Sequence, residues 1–151
     1  MRIESILVLA LAVGLGGVLG LSPVLSGGSP SAKEATSVSG CSVTDGDTIR
    51  CGEERIRLLG IDAPEKPGSC RQGRVCAPGD YGASTASLER ALSPSMSITR
   101  VGEDRYGRTL AMVAGDQGDL SCWQLGRGQA IYKARWDNGL RVARTCPGST
   151  L

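Results

Sequence analysis

Residues 57–65 read RLLGIDAPE, an apolar run that begins with an arginine and ends with two carboxylates. Side chains alternate between the two faces of a strand, so an unbroken strand would place Arg57 and Asp62 on opposite faces. Both can reach one site only where the strand is interrupted, and Gly60 is the natural position for a bulge or bend. We therefore predict a strand that breaks near Gly60.

Short strand patterns lie on both sides of this run. Segments 42–44 and 48–50 flank an Asp-Gly-Asp bend, which predicts a hairpin. Further patterns predict strands at 55–61, 96–101, 109–114 and 130–132, a loop at 67–78, and helices at 80–92 and 120–125, the second capped by Asp119. About five short strands with few helices favour a mainly β, α+β fold over a βαβ sheet. We predict an OB-fold, a five-stranded Greek-key barrel with two or three short helices.

The N-terminal 40 residues differ in composition from the rest of the chain. Residues 6–21 are continuously apolar, and 26–40 are rich in serine, glycine, alanine and proline. We interpret residues 1–25 as a signal peptide or an N-terminal membrane anchor, and the sequence leaves both open. Residues 26–40 have the composition of a flexible linker, so the folded domain is expected to span residues 41–151.

Six cysteines stand in the predicted domain, none in a C-x-x-C spacing, so zinc is a weak alternative to disulfides. An even number of cysteines after an apolar N-terminus favours disulfides in an oxidising compartment. Six cysteines allow 15 pairings, and strand geometry and proximity favour Cys41–Cys51, Cys70–Cys76 and Cys122–Cys146. We expect a protein that is exported, either secreted or periplasmic, or membrane-anchored with its domain outside the cytoplasm.

The composition of the chain excludes several kinds of catalytic site. The chain has no histidine, which excludes Ser-His-Asp triads, histidine-based nucleases and most catalytic zinc sites. A net charge of +2 leaves no broad basic surface, so any contact with nucleic acid is expected to be local. Most basic residues are arginines, which suit bidentate contacts with phosphate.

Four carboxylates in two short segments indicate a metal site. Asp45 and Asp47 share one face of a strand, where they repel each other unless a cation lies beside them. Calcium takes about 6–8 oxygen ligands, and Asp47, Asp62 and a main-chain carbonyl near Ala63 can supply the protein's share. Glu65 is then free to hold and deprotonate a water molecule. Each acid alone is also explained by an ordinary turn or a solvated loop.

Three segments in order resemble the staphylococcal nuclease (thermonuclease) family: 43–48 (VTDGDT), 57–65 (RLLGIDAPE) and 104–111 (DRYGRTLA). The resemblance covers roughly residues 41–132. It implies an OB-fold enzyme that hydrolyses phosphodiester bonds in DNA and RNA with calcium (Ca²⁺), leaving the phosphate on the 3′ side. We expect a monomer, and the N-terminal apolar segment is the candidate for contact with a membrane.

The resemblance also implies roles for individual residues. Asp47, Asp62 and the Ala63 carbonyl correspond to metal ligands, Glu65 to the general base, Arg57 and Arg108 to the phosphate clamps, and Arg105 and Tyr106 to contacts with an adjacent phosphate. Asp45 is a candidate for orienting these ligands. Tyr132 and Trp136 are both candidates for stacking on a base. Two alternatives stay open: a non-catalytic nucleic-acid-binding OB module, and a structural calcium site.

Overall fold

The computed structural model describes residues 34–150. The predicted signal peptide or anchor at 1–25 and the first part of the predicted linker lie outside the described residues. Among residues 34–150, no helix has the length and apolar character that crossing a membrane requires.

The C-terminal end of the predicted linker is part of the sheet. Strand β1 (Thr36–Ser39) pairs antiparallel with β6 (Ser95–Glu103) and places Val38 against the core. The prediction of a flexible linker across 26–40 is therefore wrong for these four residues. The physical reason is that a sheet edge offers unpaired N–H and C=O groups, which a short Thr/Ser/Val segment can satisfy.

The remaining strands form one large sheet and one small one. The large sheet has the order β1-β6-β7-β4-β3-β2, with β8 paired to β7; β4 and β7 run parallel, and the other pairs are antiparallel. The bounds are β2 Cys41–Asp45, β3 Thr48–Cys51, β4 Glu54–Leu58, β7 Thr109–Gly115 and β8 Gly118–Asp119. A separate pair joins β5 (Ile61–Asp62) to β9 (Ile131–Tyr132).

This curled, mostly stranded sheet with three helices is consistent with the predicted OB-like α+β class. The finer prediction, a five-stranded Greek-key barrel, stays a prediction. The strand predicted at 55–61 is divided into β4 and β5, and β1 adds a strand that the sequence pattern did not indicate.

Within residues 34–150, three α-helices, two short 3₁₀ helices and three disulfides complete the fold. The α-helices are α1 (Tyr81–Ala91), α2 (Leu120–Gly126) and α3 (Arg141–Thr145), and Asp119 caps α2 as predicted by accepting a hydrogen bond from the Cys122 amide. All three predicted cysteine pairings are confirmed: Cys41–Cys51, Cys70–Cys76 and Cys122–Cys146. The first staples the β2–β3 hairpin, and the second closes a loop that follows β5.

The aliphatic core lies against β3, β4 and β7. Ile49, Ile56 and Leu58 are almost completely buried there, together with Leu88 of α1 and Leu120 of α2. Burial of large aliphatic side chains contributes roughly 1.5–3 kcal/mol each relative to exposure. The core therefore holds β4 firmly, and Arg57 lies between two of its buried residues.

Candidate active site

The break between β4 and β5 occurs at Gly60, as predicted. Gly60 has a φ of +69°, its amide donates to the Trp136 carbonyl (3.1 Å), and its own carbonyl accepts from the Lys133 amide (2.8 Å). A Cβ atom at this position would lie only 3.0 Å from Cγ2 of Val142. The left-handed conformation and the close neighbour both require glycine. The change in strand direction at Gly60 is therefore fixed by its contacts with the C-terminal segment, residues 133–142.

Because the strand breaks, Arg57 and Asp62 reach one site. The Nη1 atom of Arg57 lies 2.5 Å from Oδ1 of Asp47, and its Nη2 lies 3.6 Å from Oδ1 of Asp62. Nη2 also donates to the Ile61 carbonyl (3.3 Å). One guanidinium thus joins the two carboxylates that the sequence predicts as metal ligands.

Asp47 is held from several sides. Its Oδ2 accepts from the Ala63 amide (3.0 Å), and its Oδ1 accepts from the Thr48 hydroxyl (3.0 Å). Burial raises the pKa of Asp47, the Arg57 guanidinium opposes that rise, and the charge of Asp45 adds to it. Here the Ala63 N–H fixes a carboxylate, while the proposed role of the Ala63 carbonyl stays a prediction.

The hairpin turn that carries Asp47 is fixed against the helices. A Cβ atom on Gly46 would collide with Ser84 of α1 and approach Ala63. The buried Gln124 side chain of α2 donates to the Gly46 carbonyl (2.8 Å). The contact between Gly46 and Ala63 brings the residues next to them, Asp47 and Asp62, to the same side of the fold. Both carboxylates therefore face the Arg57 guanidinium.

Asp62 and Glu65 share a second arginine, Arg74, that the sequence did not predict. Asp62 is 1% exposed, and its Oδ1 accepts from Nη2 of Arg74 (2.5 Å). Glu65 accepts from Nη1 of the same guanidinium (2.8 Å). The buried Oδ2 of Asp62 has no hydrogen-bond partner in the part of the chain that the structure describes, and the Lys133 ammonium lies 3.9 Å from it. Arg74 stands between the two cysteines of the loop, and its spacing from Asp62 gave no signal of this contact.

Arg108 binds a different carboxylate. Its Nε and Nη2 atoms contact Oδ2 of Asp104 at 2.8 and 2.7 Å. Asp104 also accepts from the amides of Tyr106 and Arg108, which shapes the turn between β6 and β7. Arg108 therefore lines the same cleft as Arg57 without sharing its carboxylates.

Two arginines converge on Tyr106. The Tyr106 hydroxyl accepts from Nη2 of Arg105 (2.6 Å) and from Nη2 of Arg71 (2.9 Å), and these hydrogen bonds lower the pKa of Tyr106. Within residues 34–150 neither arginine forms an ion pair with a carboxylate. The tyrosine is half exposed, so both charges are available to an anion in the cleft. The sequence indicated Arg105 and Tyr106 and missed Arg71.

An open cleft of about 1100 Å³ is lined by most of these groups, whereas Asp62 lines a smaller pocket that shares Arg74 and Trp136 with it. Seven arginines line the cleft: Arg55, Arg57, Arg71, Arg74, Arg105, Arg108 and Arg135. Four carboxylates line it as well: Asp45, Asp47, Glu65 and Asp104. The Trp136 ring forms part of the wall, with the guanidinium groups of Arg57 and Arg74 at 5.2 and 5.7 Å from its centroid. A chain with a net charge of +2 thus concentrates half of its arginines in one cleft.

The donor chemistry of the inner cleft fits a hard cation. Asp47 and Asp62 each place a carboxylate oxygen near the Arg57 guanidinium, and the buried Oδ2 of Asp62, which has no hydrogen-bond partner within residues 34–150, is the kind of atom that a cation satisfies. Among residues 34–150, no group of three or more acidic or cysteine side chains is already arranged as a metal cage. The arginines, rather than a third carboxylate, complete the surroundings of these two acids.

Comparisons with known proteins agree with the geometry. The sequence model described as staphylococcal nuclease homologue matches residues 55–142, more than half of the chain. Thermonuclease of Staphylococcus intermedius is 34% identical over 120 residues, which cover 72% of this chain and 67% of that protein. Succinoglycan biosynthesis protein ExoI of Rhizobium meliloti (strain 1021) is 35% identical over 105 residues, which cover 66% of this chain and 53% of that protein. The chain spans about half of the latter relative.

Proposed function

Because the chain belongs to the staphylococcal nuclease family, we propose that it is a calcium-dependent nuclease that hydrolyses phosphodiester bonds in DNA and RNA. One observation carries the proposal: Arg57, which lines an arginine-rich cleft, contacts both Asp47 and Asp62. Carboxylates suit a hard cation, and guanidinium groups suit phosphate oxygens.

The proposed division of labour follows from where each side chain lies. Asp47, Asp62 and the Ala63 carbonyl would hold calcium, which supplies Lewis-acid polarisation of the phosphate when bound. Arg57 and Arg108 donate to phosphate oxygens, where negative charge grows in the transition state. Both arginines are mostly buried and held by carboxylates, so little reorganisation is needed when the phosphate arrives.

Glu65 is proposed as the general base. A water oxygen bonds to phosphorus and passes its proton to the Glu65 carboxylate, and the bond from phosphorus to the 5′ oxygen breaks. The phosphate stays on the 3′ side, and the 5′ oxygen takes up a proton from solvent. Glu65 is partly exposed at the cleft, where water can reach it.

Arg105, Tyr106 and Arg71 are proposed to bind a neighbouring phosphate of the same strand. The two guanidinium groups have no carboxylate partner within the described residues, so a phosphate would supply their counter-charge. An open cleft with aromatic walls and a local positive charge admits single strands most easily.

The three disulfides are consistent with a protein that works in an oxidising compartment. We propose that the enzyme acts as a monomer after export, secreted or periplasmic, or held at a membrane by residues 1–25. Its domain would then meet its substrates outside the cytoplasm.

The test is digestion of single- and double-stranded DNA and of RNA, in calcium and in a chelator. We expect cleavage in calcium only, and Glu65→Gln is expected to lower kcat by about 10²–10⁴-fold because the water loses its proton acceptor. Glu89→Gln is the matched control, since Glu89 is exposed on α1 and lies outside the cleft. Cleavage that survives both the chelator and Glu65→Gln would sink the mechanism.

One observation favours a second candidate, a non-catalytic nucleic-acid-binding module. Arg74 contacts both Asp62 and Glu65, so the two acids are already neutralised by the protein itself. Such a module would bind single strands through the same arginines. Binding in calcium with no cleavage of any substrate distinguishes this candidate from the enzyme.

A further inference from the structure

Arg74 reaches the inner cleft on a short closed loop. The Cys70–Cys76 disulfide joins residues six positions apart, and the Arg74 amide donates to the Arg71 carbonyl (3.0 Å) to form a turn inside it. Arg71 and Arg74 therefore lie at the two ends of one turn, and their side chains extend in different directions. Arg71 contacts Tyr106, whereas Arg74 contacts the carboxylates.

The Arg74 guanidinium is fixed by three partners. It donates to Asp62 at 2.5 Å and to Glu65 at 2.8 Å, and it lies 5.7 Å from the centroid of the Trp136 ring. Asp62 is buried, so its attraction to a nearby cation is poorly screened by solvent. One side chain thus bridges a proposed metal ligand and the proposed general base.

We propose that Arg74, anchored at Glu65, is a tethered cation that competes with calcium for Asp62, and that the Cys70–Cys76 disulfide sets how strongly it competes. The proposal rests on the proposed calcium site. A divalent ion bound by Asp62 needs the carboxylate that Arg74 occupies, and two cations on one carboxylate repel each other. Calcium binding therefore requires Arg74 to withdraw from Asp62, which lowers the affinity for the ion and keeps the acids neutralised when calcium is scarce.

The disulfide makes the competition effective. A ligand on a short tether has a high effective concentration at its site, and that concentration falls when the tether becomes longer or looser. Closing residues 70–76 also removes loop conformations in which Arg74 points elsewhere. Opening the loop should therefore weaken the Arg74 contact without removing the side chain.

The experiment is a calorimetric titration of the whole protein with calcium, without nucleic acid. Arg74→Gln is expected to bind calcium about tenfold more tightly than the wild type. The reason is that a neighbouring charge changes the ionisation constant of a carboxylate by about tenfold or more, and we expect an effect of similar size on its affinity for a cation. The double variant Cys70→Ser with Cys76→Ser is expected to change the affinity in the same direction, by a smaller factor. It retains Arg74 and the two other disulfides.

Arg71→Gln is the matched control. It removes the same charge from the same loop, yet Arg71 contacts Tyr106 and neither carboxylate. Its calcium affinity is expected to stay much closer to that of the wild type. Melting temperature gives a second readout: Arg74→Gln should gain more from calcium than the wild type does. Circular dichroism checks that each variant is folded.

Three results would overturn the proposal. These are equal calcium affinities for the wild type and Arg74→Gln, an equal gain in Arg71→Gln, and no calcium binding by any variant. The outcome is independent of the nuclease assay. Tighter binding by Arg74→Gln in a protein that cleaves nothing would support the competition and reject the enzyme, whereas cleavage with unchanged affinities would do the reverse.

Discussion

The two ends of the cleft neutralise charge in opposite ways. At the inner end, defined by Asp47, Arg57 and Asp62, a guanidinium lies between buried carboxylates fixed by the sheet. At the outer end, defined by Arg71, Arg105 and Tyr106, two guanidinium groups meet on a neutral hydroxyl that is exposed to solvent. At the inner end the guanidinium is therefore paired with carboxylates of the protein itself. At the outer end the two guanidinium groups remain available to an anionic substrate.

The two ends are therefore expected to respond differently to substitution. A buried ion pair cannot lose one partner without leaving an uncompensated charge, so changes at the inner end should affect stability and, under the proposed function, catalysis as well. Exposed cations near solvent are screened, so changes at the outer end affect binding alone.

Arg57→Ala is expected to have the largest effect. It leaves Asp47 buried without its cation and should lower the free energy of unfolding by about 3–5 kcal/mol. If the proposed function holds, the loss of one phosphate donor should also lower kcat by about 10²–10³-fold. Urea denaturation measures the first effect and single-strand digestion the second.

Arg55→Ala is the control for that comparison. Arg55 lies two residues earlier on β4 and lines the same cleft, but its side chain is exposed and forms no ion pair within residues 34–150. Its replacement should change stability by about 0.5 kcal/mol or less. Equal destabilisation by both alanines would contradict the view that burial at the inner end matters.

Gly60→Ala is expected to have an intermediate effect, because it acts on the junction that brings Arg57 and Asp62 together. A non-glycine residue in the left-handed region costs roughly 1–2 kcal/mol, and here the new methyl group also meets Val142 at 3.0 Å. We expect a total loss of about 1–3 kcal/mol in the free energy of unfolding.

Gly52→Ala is the matched control for the steric contact between a methyl group at position 60 and Val142. Gly52 has a φ of +60°, and nothing lies within 4 Å of a Cβ atom built there. It should therefore carry the conformational cost alone, and the difference between the two variants measures the contact with Val142. If Gly52→Ala costs as much as Gly60→Ala, the junction is not constrained by packing.

The inner end could be predicted from sequence because its residues follow from strand geometry. The alternation of β4 and the glycine at 60 together indicate where Arg57 and Asp62 can meet, and the structure confirms that break. Two of the three disulfides could be paired for a related reason, since a hairpin end brings Cys41 close to Cys51 and a short loop brings Cys70 close to Cys76.

The outer end and Arg74 could not be predicted in the same way. Residues 67–78 form no regular element, so no period tells which side chain turns toward the cleft. Arg71 and Arg74 are three positions apart in one loop, yet they reach different partners through a turn that sequence does not specify. Strand β1 was missed because its pairing depends on an open edge of the sheet rather than on its own pattern.

Arg71→Gln is expected to have the smallest effect, confined to binding. With chelator present, fluorescence anisotropy of a labelled single strand should show weaker binding, and the slope of log affinity against log salt should become shallower by about 0.7, because one phosphate contact is lost. The free energy of unfolding should stay within about 0.5 kcal/mol of the wild type. Arg90→Gln, which removes an exposed charge from α1 outside the cleft, should leave the slope unchanged. An identical slope for Arg71→Gln and the wild type would mean that the hydroxyl of Tyr106, and not a phosphate, is the working partner of this arginine.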